Sequence, residues 1–122
     1  MGVKKNQHMN RYRTIIFVWL LIFAGAVSAQ TDQSFQRKYL NAKSLFREAK
    51  YNLAMEAFKP LIALDDENPF SAYSSFYFAL SAYREGYTPM ARDMFLQIRR
   101  IFPKWSKLDD VNLWLGNIYL ET

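Results

Sequence analysis

The sequence contains no cysteine and a single histidine, His8. A disulfide framework, a cysteine-ligated zinc site and a thiol nucleophile are therefore excluded. Glycine is scarce, at four residues, and none sits in a phosphate-cradling loop. No stretch of useful length alternates apolar and polar residues with a period of two, so strands are not expected. Acidic residues are missing from residues 1–29, which hold Lys4, Lys5, Arg11, Arg13 and the lone histidine. Residues 30–122 carry twelve Lys/Arg against eleven Asp/Glu, a net of +1. The basic balance thus belongs to the first segment, and the remainder lacks the basic face that nucleic acid requires.

What is present is apolar and aromatic. Of the 122 residues 51% are hydrophobic and 17% aromatic, too many for a disordered chain and enough for one small domain. Residues 1–29 have the layout of a secretory signal peptide. A basic region reaches Arg13, the apolar stretch Ile15–Val27 follows, and Val27-Ser28-Ala29 precedes Gln30. Small side chains at the first and third positions before the cut suit a signal peptidase, so cleavage is expected after Ala29. The competing reading is an uncleaved anchor over residues 14–27. Thirteen apolar residues make a helix of only about 20 Å, against a hydrocarbon core of roughly 30 Å. No cysteine follows to accept a lipid. The expected product is exported to the periplasm or beyond, touching membrane only through this segment before cleavage.

Beyond the leader the pattern is helical. Gln33–Lys50 places Phe35, Tyr39, Leu40, Ala42, Leu45, Phe46 and Ala49 at a 3.6-residue period. A second helix is expected from Asn52 as cap through Leu64, loosened at Pro60. Asp65-Asp66-Glu67-Asn68 reads as a loop. Asn68-Pro69 and Thr88-Pro89 read as cap-plus-proline helix starts. The third helix should stop near Gly86 and the fourth before Pro103. Ser106 with Asp109 resembles a capping box for a fifth helix.

The sequence matches itself at an offset of 37 residues. Ala42, Ala79 and Gly116 align, as do Leu45, Ala82 and Tyr119, and Phe46, Tyr83 and Leu120. In the second helices Ala54 aligns with Ala91, Phe58 with Phe95, and Leu61 with Ile98. A small residue recurring in one register and a bulky one in another is what close helix approach and gap filling require.

This pattern resembles the tetratricopeptide-repeat family. Ala79, Ala91, Phe95 and Pro103 have that family's spacing, and Leu115-Gly116-Asn117-Ile118-Tyr119 matches its Leu-Gly-x-x-Tyr. The acidic loop stretches the usual period of about 34 residues, and Asn112 stands where the family has its early Trp. The resemblance implies an all-α chain of tandem antiparallel helix hairpins, a solenoid of about two and a half units. These are residues 35–69, 72–103 and an incomplete 106–122. Ala42, Ala54, Phe58, Ala79, Ala91, Phe95, Gly116 and Tyr119 would pack the repeats. It also implies a concave surface for a protein or peptide partner, with Tyr39, Lys43, Arg47, Tyr73, Arg84 and Asn117 as candidate contacts. The apolar residues of the last helix raise two further expectations, continuation of the array in a longer protein or docking of that helix on a partner or, by self-association, a second copy.

Chemistry is not expected. Residues 30–122 have no His or Cys, so the usual nucleophile–base pairs are missing. Asp65-Asp66-Glu67 and Asp109-Asp110 read as a solvated loop and a helix start, where negative charge is favourable. No cofactor or metal is expected. The favoured reading is a non-enzymatic interaction scaffold of the cell envelope. Two others stay open: a small-ligand or glycan-binding helical protein using the aromatics of the second unit, and a non-catalytic N-terminal module of a longer enzyme or sensor.

Overall fold

A computed structural model describes residues 33–62 and 68–122. The leader and most of the acidic loop fall outside this range, so the expected signal segment and Asp65-Asp66-Glu67 are not placed. Every regular element among the described residues is helical. α1 covers residues 33–47. It is followed by α2 (Tyr51–Phe58), a 3₁₀ turn at Lys59–Leu61, α3 (Ser71–Arg84), α4 (Thr88–Ile101) and α5 (Leu108–Glu121). Phe35–Thr122 forms one compact unit.

Helix ends are set by backbone turns more than by side-chain caps. α1 stops where Ala49 takes a left-handed φ of 59°. The Lys50 N–H then donates to the Leu45 carbonyl and the Ala49 N–H to the Phe46 carbonyl. α3 stops the same way at Gly86, φ 89°, with Tyr87 donating to Ala82 and Gly86 to Tyr83. Both are Schellman turns, and they stand 37 residues apart. Only one residue, Lys50 or Tyr87, separates each turn from the next helix, and its carbonyl accepts the first bond of that helix, from Ala54 or Ala91. The N-cap positions are thus Lys50 and Tyr87, and neither side chain makes a cap bond. α2 accordingly begins before Asn52, which lies inside it, and α4 begins at Thr88 rather than after it. α5 opens from the Lys107 carbonyl, so Ser106 makes no capping box.

Pro60 has the effect expected of it. It lacks the N–H that would continue α2, and after Phe58 the chain tightens into the 3₁₀ turn Lys59–Leu61. Asn68 acts differently from the expected cap. Its Nδ2 donates to the Leu61 carbonyl at 2.7 Å, and its Oδ1 accepts the Phe70 N–H at 2.9 Å. The buried side chain thereby ties the end of the 3₁₀ turn to the entry of α3, which starts at Ser71.

Packing runs between neighbours. α3 lies against both α2 and α4, and α4 against α5. α1 meets α2 through Tyr39–Phe58 and α3 through Phe46–Tyr77. α3 reaches α5 through Tyr83, whose ring meets Trp114 and whose hydroxyl donates to Glu121 Oε1. The core includes Ala54, Phe58 and Leu61 from the first hairpin, Ala91, Phe95 and Ile98 from the second, and Val111, Leu115 and Ile118 from α5. Burying each large side chain here is worth roughly 1.5–3 kcal/mol. The inner face of α3 also carries serines. Ser75 and Ser81 donate to carbonyls four residues back, whereas the buried Ser74 hydroxyl has no hydrogen-bond partner.

The 37-residue interval governs burial as well as boundaries. α3 and α5 are each 14 residues long and begin 37 positions apart. Ala42 and Ala79 are fully buried, as are Ala54 with Ala91 and Phe58 with Phe95. The interval fails on one face of α5. Gly116 is exposed with nothing near the place a Cβ would occupy, and Tyr119 is 55% exposed. Both positions, expected to pack repeats together, lie open among the described residues. α2 and α4 lie against α1 and α3, but no described helix lies over the outer face of α5.

Candidate functional site

The candidate contacts lie on the odd-numbered helices. Tyr39, Lys43 and Arg47 are one turn apart along α1, Tyr73 and Arg84 lie along α3, and Asn117 lies on α5. Each position owes its neighbours to this spacing, because residues three, four and seven apart share a helix face.

Tyr39 does not line a surface. It is only 7% exposed, stacks on Phe70 at 5.0 Å between centroids, and meets Tyr73 and Tyr77 edge-on. Burial pushes its phenol up to about 12 from an ordinary 10.0, helped by the neighbouring Tyr77 and Tyr73 and opposed by the Arg47 charge. It is a core residue because α3 and the Phe70 turn close over it. Tyr73 is half-buried and spends its ring on Trp105, 5.1 Å away and nearly perpendicular. Phe76 is enclosed by Tyr77, Phe95 and Trp105. Tyr73, Phe76 and Tyr77 of the second unit are therefore engaged with other rings.

The cations are placed differently. Lys43 Nζ lies 5.3 Å from the centre of the Tyr77 ring and 5.8 Å from that of Tyr39. The Arg84 guanidinium carbon lies 5.8 Å from the Trp114 ring. Tyr77 and Trp114 occupy the same register of successive units, so each unit presents an aromatic ring to a cation from the preceding odd helix. Such contacts are worth about 0.5–1 kcal/mol at exposed sites and restrict the side chain without neutralising it. Arg84 and Arg47 are exposed, and none of the three cations forms an ion pair with a described carboxylate. Asn117 is half-buried in the Lys43 register of α5. The Tyr83 phenol, held by its bond to Glu121, is raised above its ordinary pKa.

Sequence reasoning missed Tyr77 and Trp114 as the rings under the cations. The 37-residue alignment held the signal, since both fall in one register, but aromatics at helical spacing also make core. Among the described residues no group of His, Cys, Asp and Glu is arranged to hold a metal ion, and no helix is long and apolar enough to cross a membrane. A recess beside Ile98 and Phe102 measures ≈ 10 Å³, room for one water. A larger hollow of ≈ 380 Å³ over Asp93, Leu96, Gln97 and Arg100 is an open surface depression. The chain matches no protein-family model, no curated protein and no solved structure.

Proposed function

We propose that the chain is a non-enzymatic interaction scaffold of the tetratricopeptide-like kind, exported to the cell envelope by its first 29 residues. Its array of tandem antiparallel helix hairpins offers the α1–α3–α5 stripe to an extended protein or peptide segment. The observation that carries this reading is the pair of ring-supported cations, Lys43 on Tyr77 and Arg84 on Trp114, with Arg47 exposed beside them. A carboxylate meeting a cation that is already held in place forfeits less side-chain freedom on binding, so the preferred partner is acidic. The interdigitated rings of the second unit give no support to a small-ligand or glycan pocket.

The reading is tested with a hexaglutamate peptide and the full chain by calorimetry. Saturable binding is expected that weakens with salt and falls roughly tenfold when Lys43→Glu and Arg84→Glu are combined. Equal binding by that double variant refutes the site, and no binding by the unaltered chain refutes the acidic partner. Export is tested separately by the N-terminus of the protein recovered from the producing cell, which should be Gln30.

A further inference from the structure

The outer face of α5 is uncovered and largely apolar, with Asn112 and Asp109 as its polar members. Leu113 is 62% exposed, Tyr119 55% and Leu120 86%, and Gly116 lies among them as an empty notch. On a 100°-per-residue wheel these four span one side, opposite the buried Val111, Leu115 and Ile118. A monomer gains nothing by exposing such a strip, and contiguous apolar surface marks a contact site.

The register and charge of this face specify what fits it. Gly116 occupies the position of Ala42 and Ala79, which are fully buried in α1 and α3. α2 packs in the first hairpin with Ala54 and Phe58 buried, and α4 in the second with Ala91 and Phe95 buried. A small residue and a bulky apolar one, one turn apart, therefore recur on the helix that follows this register. Charge adds direction. α5 bears Asp109 and Asp110 in its first turn, Glu121 in its last, and no Lys or Arg. A helix running antiparallel brings its last turn beside Asp109 and Asp110, where cations are favoured both by those carboxylates and by its own dipole. α4 ends in this way, with Arg99 and Arg100. A second α5 does not suit the face, since antiparallel pairing would set Asp109 and Asp110 against Glu121.

We infer that the outer face of α5 receives one amphipathic helix from a partner protein. The helix runs antiparallel to α5, sets a small residue and a bulky apolar residue one turn apart over Gly116, and carries Lys or Arg in its last turn. This surface is separate from the cation stripe, and variants of Lys43 and Arg84 should leave it unaffected.

The probe is a fluorescent peptide with the α4 sequence, Thr88–Ile101. It is stapled between positions 93 and 97 on its polar side, because a free peptide of this length is only marginally helical. Anisotropy titration with the full chain should give saturable one-to-one binding. Gly116→Leu fills the notch, where an added Cβ has no neighbouring atom within 4 Å, and should weaken binding roughly tenfold or more, with the helical circular dichroism unchanged. Asp109→Asn with Asp110→Asn should lower affinity and flatten its salt dependence, and a Phe95→Ala peptide should bind more weakly. No saturable binding overturns the proposal, as does equal binding by the Gly116→Leu chain. Self-association of the chain that Leu120→Asp abolishes overturns it as well, by making a second copy the occupant.

Discussion

Ala49 and Gly86 do the same backbone work with different residues. Both take left-handed φ values at the close of a Schellman turn, and both follow an Arg-Glu pair, Arg47-Glu48 and Arg84-Glu85. A Cβ in that region costs about 1 kcal/mol or more, which Ala49 bears and Gly86 avoids. Ala49→Gly should therefore stabilise the chain by up to about 1 kcal/mol, and Gly86→Ala should destabilise it by about as much. Urea midpoints of the two variants, which should move in opposite directions, check this. Tyr39 makes a second prediction at this scale. Its folded pKa, about 12, lies above the ordinary 10.0. The stability tied to its neutral form is fully present below pH 10 and is lost as pH rises toward 12. Urea stability should fall across that window, and Tyr39→Phe should flatten the fall. A curve equally steep in the variant would assign it to other groups.

At the scale of elements, helix existence was legible and helix starts were not. The apolar period marked all five helices, Pro60 marked the break in α2, and Gly86 and Pro103 bracketed α4. The caps misled because Asn52, Thr88 and Ser106 have the right chemistry at positions already inside a helix or displaced from its first carbonyl. The deciding contacts were Lys50 and Tyr87 carbonyls, which any residue supplies and no sequence pattern reveals. Ala49 hid the first turn because it is not the glycine such a turn usually takes. Asn68 was recognised as important for the wrong bond. It clamps the Leu61 carbonyl to the Phe70 amide, so Asn68→Ala should leave both groups short of a partner. The expected cost is about 2 kcal/mol, measured by chemical unfolding. Asn68→Asp keeps the acceptor for Phe70 and loses the donor to Leu61, and should fall between the two.

For the whole molecule, the 37-residue interval was the most informative feature of the sequence, and the structure repeats it in helix limits, turns and buried alanines. The site was legible only in part. The resemblance to the repeat family implied that Lys43, Arg47 and Arg84 share one surface. Whether Tyr39 faced outward depended on Phe70 folding over it, a contact across an irregular connection that helical periodicity does not encode. Gly116 shares the register of Ala42 and Ala79 but is exposed, because no described helix lies over it.

α3 is flanked on both sides, by α2 and α4, and touched by α1 and α5, whereas α5 leans on α4 and, from α3, on Tyr83 and Arg84. Stability in such a file of helices is passed from neighbour to neighbour, so the structure should come apart from its end. Amide hydrogens of α5 should exchange with deuterium at least about tenfold faster than those in the middle of α3. An occupant on the outer face of α5 would erase that gradient, so the exchange profile of the free chain records how much cohesion the last helix lacks.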